Sequence, residues 1–275
     1  MNQFSLPHQF IVYDFETIPD EDLILSVYGQ RYYQNKKPQS IEQLIELEKE
    51  RKSSDDIFFK PPFQKVVSTG ILHMIIDDDG NLRSNLKSTD PAKSEEHHLG
   101  AFWYLFGRST QNVKPNKFPM LITFNGKQFD FPTLILRSMQ YNFGVDWQEK
   151  DLIHIKKGIS EYFIDYDKWE NARPNYNAPF SKYNYDLSQK IGSPVGGLST
   201  ICKLNNISIK ESGSGSEVWD YYKEQDFSRI QTYVEEDTIA TTRLLFSYWK
   251  MISGYDPQIC EQLDDMTMEL DRLSS

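Results

Sequence analysis

The sequence predicts an α/β protein, a central mixed β-sheet flanked by α-helices. Three observations carry that reading. Residues 9–16, Gln-Phe-Ile-Val-Tyr-Asp-Phe-Glu, are rich in β-branched and aromatic side chains, the pattern of a buried strand. Residues 66–76 repeat the pattern and lead into Asp79-Gly80, a hairpin signal that returns the chain as a third strand over Asn81–Leu86. Farther on, apolar residues recur at helical spacing, most clearly over 226–252. Strands first and interleaved helices afterwards indicate a mixed sheet with helices packed on it.

The remaining elements follow in order. Residues 20–62 separate the first two strands and read as an insertion, with a charged amphipathic helix at 41–52 (Ile41, Leu44, Ile45, Leu47) and a Lys60-Pro61-Pro62 end. After the hairpin, Leu99, Phe102, Trp103 and Phe106 mark a helix over 93–107. Met120–Phe124 is a short apolar strand, and a helix runs from Phe131 to Tyr141 with Pro132 in its first turn. Residues 142–185 read as irregular and aromatic-rich, with a strand at 161–166. Helices follow at 198–205, 217–224 and 226–252, and an acidic helix at 256–273 closes the chain.

With 275 residues, 39% hydrophobic and 25% charged, the chain suits one sizeable core, so a single domain over 1–275 is expected. It has no apolar run near membrane-spanning length, and its first residues have neither a basic nor an apolar region. Cys202 and Cys260 are too few and too far apart for a disulfide framework. The expectation is a cytoplasmic protein with reduced thiols and no membrane partner. The net charge of −10 argues at first against a nucleic-acid partner, but residues 256–275 alone carry six acids against Arg272. Residues 150–210 carry nine Lys/Arg against six Asp/Glu.

Three clusters of residues are candidates for chemistry. Asp14 and Glu16 share a face of the first strand with Phe10 and Val12. Two carboxylates leaving an apolar strand either open a solvated loop or are neutralised, and a hard divalent cation does that well. Asp130 stands where a strand gives way to a helix, and reads either as an N-cap or as a third acid. Tyr233 and Asp237 lie one turn apart on the stripe of Ile230, Ala240, Thr241 and Leu244, so Asp237 points inward and needs a partner, whereas Glu235 and Glu236 can face solvent. Tyr233 by itself reads more readily as a core tyrosine.

In order, Asp14-Phe15-Glu16-Thr17, then Phe124-Asn125-Gly126-Lys127-Gln128-Phe129-Asp130, then Tyr233-Val234-Glu235-Glu236-Asp237 resemble the three motifs of the DEDD exonucleases, in the tyrosine variant. Pro61-Pro62, Asp186-Leu187 and the segment 198–207 extend the resemblance to the predicted exonucleases related to the proofreading domain of family B DNA polymerases, over about residues 9–250. Where that family has a Gly-Lys-type loop, this chain reads Glu211-Ser212-Gly213-Ser214-Gly215-Ser216. The resemblance implies an RNase H-like fold and 3′→5′ exonucleolysis that releases nucleoside monophosphates. It implies two divalent ions, Mg²⁺ or Mn²⁺, held by Asp14, Glu16, Asp130 and Asp237, with Tyr233 orienting the attacking water. Thr17, Asn125 and Phe129 would contact the terminal nucleotide, although Phe129 also suits a core. The implied substrate is DNA, as single strands or 3′ ends; an RNA 3′-end trimmer and a non-catalytic nucleic-acid-binding module are the alternatives.

Other features have plainer readings. Tyr162, Phe163, Tyr166, Trp169, Tyr176, Phe180, Tyr183 and Tyr185, interleaved with lysines and Arg173, suit either a single-strand binding surface or a loop covering the core. Asp77-Asp78-Asp79-Gly80 reads as a hairpin turn rather than a calcium loop. His97 and His98 are adjacent and would point in different directions on a helix, so they read as surface or partly packed residues, not ligands.

Overall fold

The structure, a computed structural model, describes residues 4–29, 36, 38–53, 59–77, 79–114, 117–144, 147–163, 174–178, 181–193, 196–209 and 215–274. In chain order these form β1 (Gln9–Pro19), α1 (Glu21–Ile24) with a π-helical turn at Leu25–Gly29, α2 (Ile41–Lys52), β2 (Gln64–Ile76), β3 (Leu82–Ser88) and α3 (Glu95–Ser109). Then come β4 (Met120–Thr123), α4 (Asp130–Ser138), α5 (Glu149–Phe163), β5 (Asn184–Asp186), α6 (Leu187–Lys190), α7 (Gly197–Leu204), α8 (Val218–Lys223), α9 (Phe227–Ile252) and α10 (Pro257–Leu273).

The strands form one five-stranded sheet in the order β3-β2-β1-β4-β5. The β1–β2 and β2–β3 pairs are antiparallel, while β4 and β5 continue parallel to β1. The sheet is mixed and flanked by helices, the α/β, RNase H-like architecture that the sequence led us to expect. Alternation along β1 divides the core. Phe10 and Val12 join Leu72 and Met74 under Leu244, Leu245 and Trp249 of α9, with α7 and α10 on the same side. Ile11, Tyr13 and Phe15 join Phe102, Trp103 and Phe106 of α3 on the other.

The excursion between β1 and β2 is closed at its base, where the Asp20 amide donates to the Phe63 carbonyl at 2.9 Å. It carries a small core of its own from Ile24, Ile41, Leu44 and Phe59. A buried ion pair anchors the same corner. Arg137 Nε and Nη2 donate to the two oxygens of Glu95 at 2.9 and 2.6 Å, and Nη1 donates to Asp20 at 2.6 Å. Glu95 also accepts from the Val66 amide at 2.7 Å and the Tyr141 hydroxyl at 2.8 Å, so its charge is fully partnered.

The structure corrects the reading of residues 142–185. Residues 149–163 are helical, so the strand expected at 161–166 is absent over 161–163, and 164–166 lie outside the described residues. The helix packs on α3 through two glycines. A Cβ on Gly107 would lie 1.9 Å from the His154 carbonyl oxygen, and one on Gly158 would lie 2.2 Å from that of Trp103. Leu152, Ile155, Ile159 and Tyr162 supply the apolar face. Of the described aromatics of this region, Phe163 is exposed, Tyr183 and Tyr185 are half-buried, and two line the core. Tyr162 and Tyr176 are fully buried, and the Tyr176 hydroxyl donates to the Pro119 carbonyl at 2.6 Å. Tyr166, Trp169 and Phe180 fall outside the described residues.

Candidate metal centre

Asp14 stands at the middle of β1 and Glu16 two residues on, both on the face covered by α9. The β1–β2 register shifts between Glu16 and Thr17, a bulge that bends the strand where the carboxylates leave it. From α9, Asp237 reaches the same point. One carboxylate oxygen from each of Asp14, Glu16 and Asp237 lies within 4.8 Å of the other two.

That convergence depends on how closely α9 lies on the sheet. Asp14 is paired across β2 with Gly70. A Cβ on Gly70 would stand 2.6 Å from Thr238 Oγ1 and 2.7 Å from the Val234 carbonyl oxygen, so only glycine lets the helix settle here. Thr238 Oγ1 already donates to that carbonyl at 2.8 Å. Glu235, expected to face solvent, is half-buried and accepts from Ser88 at 2.6 Å, which ties α9 to the edge strand.

Asp130 is the first residue of α4 and makes no cap; Phe129 holds the N-cap position without a side-chain bond. The N-cap reading of Asp130 therefore fails. Its side chain is 3% exposed and its Oδ1 has no hydrogen-bond partner. Of the neighbouring charges, that of Asp130 acts most strongly on Asp14. It thus belongs to the same acidic patch, although it stands outside the group of three whose oxygens meet within 4.8 Å.

The loop that delivers Asp130 is held by Asp186, a residue to which the sequence analysis assigned no role. Asp186 is 1% exposed and accepts from the amides of Asn125 at 2.9 Å and Lys127 at 3.1 Å, while also capping α6. Asn125 turns the chain with a left-handed φ of 64°. The signal available in the sequence was an Asp directly before a helical segment, which marks a cap but not a long-range contact. Of the expected substrate contacts, Thr17 is half-buried at the bulge, Asn125 is exposed, and Phe129 is half-buried and belongs to none of the hydrophobic clusters.

Burial and mutual repulsion govern the electrostatics. Burial first, then neighbouring carboxylates, hold Asp14 and Glu16 well above the usual carboxylate range. Burial pushes Asp130 up to about 7 and Asp237 up to about 6. Tyr233 is half-buried against Ile18, Val67 and Val218, and its hydroxyl lies near the Asp237 carboxylate, one helical turn on. Burial, and then the charge of Asp237, push that hydroxyl far above the ordinary tyrosine value, so it keeps its proton. A Cβ on Gly215 would lie 4.0 Å from the Tyr233 oxygen, so the end of the Ser-Gly segment borders the site.

The donor set fits a divalent cation. All four acids offer hard oxygen, one buried oxygen is unpartnered, and none of the four has a Lys or Arg within ion-pair distance among the described residues. Glu95, equally buried, has Arg137.

A family model described as a predicted 3′-5′ exonuclease related to the exonuclease domain of PolB matches residues 56–258. The chain belongs to this family. No curated protein matches it. Asp130, Asp186, Tyr233 and Asp237 fall inside the matched span, whereas Asp14 and Glu16 precede it and enter through the pairing of β1 with β2 and β4. No helix among the described residues is long and apolar enough to cross a membrane.

Two predictions follow from this geometry. Without metal, the folded chain holds protons on Asp130 and Asp237 that the unfolded chain, with carboxyls near 3.8, releases. Folded pKa values above unfolded ones mean stability that falls as pH rises from about 4 to about 7. Melting temperatures in EDTA should decline across that window, and saturating Mg²⁺ or Mn²⁺ should flatten the decline; a metal-free melting curve that rises with pH would contradict the carboxylate patch. Second, Gly70→Ala should push α9 off the sheet. A destabilisation of about 1–3 kcal/mol in urea should accompany at least roughly tenfold weaker Mn²⁺ binding by titration calorimetry. Wild-type Mn²⁺ affinity in the folded variant would remove Gly70 from the control of the site.

Proposed function

We propose that this chain hydrolyses DNA from its 3′ end, acting on single strands and releasing nucleoside monophosphates one at a time. The observation that carries the proposal is the meeting of Asp14, Glu16 and Asp237 within 4.8 Å, with Tyr233 one helical turn from Asp237 and buried Asp130 beside them. In this reading Asp14, Glu16, Asp130 and Asp237 hold two divalent ions, Mg²⁺ or Mn²⁺. When bound, such a pair activates water and stabilises the leaving oxygen of a phosphodiester.

The chain's own groups do the rest. The carboxylates would hold the ions, whose charge would position the scissile phosphate. Tyr233 retains its proton and presents a hydroxyl beside Asp237 that orients the attacking water. In this reading Thr17 at the bulge, and Asn125 and Phe129 on the loop that Asp186 braces, contact the terminal nucleotide. The absence of nearby Lys or Arg among the described residues leaves charge neutralisation to the cation.

The activity is tested with 5′-labelled DNA and matched RNA oligomers. With Mg²⁺ or Mn²⁺ the labelled DNA should shorten as a ladder, and EDTA should abolish the reaction. Early release of the label as a mononucleotide would reverse the polarity, and faster trimming of RNA would change the substrate. Tyr233→Phe separates the catalytic role from a packing role. The ring and its contacts with Val67 and Val218 remain, so the melting temperature should hold, while the single-turnover rate should drop on the order of 10²-fold. A wild-type rate in that folded variant would exclude the tyrosine from the reaction.

A further inference from the structure

A groove of about 1020 Å³ lies on the sheet face opposite the carboxylates, between α3 and the outer strands β2 and β3. Its floor is apolar, from Ile71 and Ile75 of β2 and Leu105 of α3. One wall is aromatic. The Trp147 ring stacks on His97 at 5.2 Å and on Tyr104 at 5.5 Å, and all three rings are half-buried. The rim carries Lys87, Lys93, Arg108, Lys114 and Lys117 against Asp77 and Asp90. That is a surplus of three positive charges on a chain whose net charge is −10.

Cations on an edge strand also blunt unwanted strand pairing, which accounts for Lys87 on β3. It does not account for Arg108 on α3 or for Lys114 beyond it, which face the same hollow. Phosphate-pairing cations around an apolar, ring-walled trough are the chemistry that holds single-stranded nucleic acid without sequence preference. The groove also leads toward the cluster. Ser88, at its mouth, is paired with Gly70, and Gly70 with Asp14, two strand spacings or about 10 Å away. Ser88 is hydrogen-bonded to Glu235, two residues before Asp237.

We propose that this groove holds a single-stranded segment of the substrate, several nucleotides upstream of the end that meets the carboxylates. The polymer's identity rests on the function proposed above; the charge and shape of the groove do not. Strand continuing past the cluster crosses the β3 edge at Ser88 and lies with phosphates on the lysines and bases against the apolar floor.

The test uses full-length protein in EDTA and 5′-fluorescein oligothymidylates of about 20 and about 5 nucleotides, read by anisotropy over a salt series. Lys87→Glu with Lys114→Glu, both exposed and outside the cluster, should weaken 20-mer binding at least about tenfold and flatten its salt dependence by roughly 0.7 per lost phosphate contact. Binding of the 5-mer, and its cleavage rate in Mg²⁺, should be unchanged. Unaltered 20-mer affinity would overturn the proposal. So would an equal loss on reversing Lys49 and Lys52, which lie on α2, because total charge would then explain it. Displacement of the 20-mer by poly-L-glutamate as effectively as by unlabelled oligothymidylate would assign the groove to acidic protein instead. If groove-dependent binding is found but no oligomer is cleaved, the exonuclease reading fails and the groove stands; cleavage with unaltered binding in the variant gives the reverse.

Discussion

The approach of α9 to β2 at Gly70 is the contact on which the rest of the site depends. A sheet and a helix normally keep a side chain's thickness between them. Here the Val234 carbonyl and Thr238 hydroxyl occupy the space a Cβ would need. The gain is that Asp237, one turn past Tyr233, reaches the carboxylates of β1. The cost is electrostatic, because acids with raised pKa values are held together without a counter-charge among the described residues. The large apolar clusters on both sheet faces, and the α3–α5 packing at Gly107 and Gly158, tolerate this local penalty.

The contrast with Glu95 shows that the lack of a basic partner among the described residues is local to the site and not a general habit of this fold. Glu95 is 3% exposed, yet Arg137, Tyr141 and the Val66 amide satisfy it completely. Asp130 has the same exposure and keeps an unpartnered oxygen. Buried charge without a partner is strongly destabilising. A divalent ion that binds only the folded chain would convert that penalty into stabilisation growing with its concentration.

Much of this was legible in the sequence because the signals were local. Strands β1, β2 and β3, the hairpin at Asp79-Gly80 and the long α9 carry their periodicity in consecutive residues, and the three motifs fix Asp14, Glu16, Asp130, Tyr233 and Asp237 by spacing. The Asp77 turn behaves as read, with its carboxylate accepting from the Asn81 amide at 2.8 Å. What stayed hidden depends on tertiary contact. Gly70 shows its role only when α9 is placed on it. Asp186 shows its partners only when the Asn125 loop is brought to it. Helix α5 was masked by the aromatics that follow it, although Leu152, Ile155, Ile159 and Tyr162 keep helical spacing. His98 gave no hint that its ring nitrogen would meet the Thr89 hydroxyl at 2.7 Å.

The acids of the candidate centre come from three distant parts of the chain, and the first pair lies before the span that matches the family. Between that pair and β2 the chain makes a long excursion. Such an excursion is tolerable because the entropic cost of closing a loop grows only slowly with its length, provided its ends are fixed. Both ends are fixed here, by the Asp20–Phe63 backbone bond and by Arg137, which joins Asp20 to Glu95 at the start of α3. The same corner receives the Val66 amide, next to the bulge that turns Asp14 and Glu16 out of the strand. The clamp that tolerates the excursion is therefore also the support that sets the register of β1 against β2, and with it the pairing of Asp14 with Gly70. The geometry of the carboxylates is thus maintained from two directions: by α9 pressing on the sheet from one face, and by the Glu95–Arg137 pair holding the strand ends from the other.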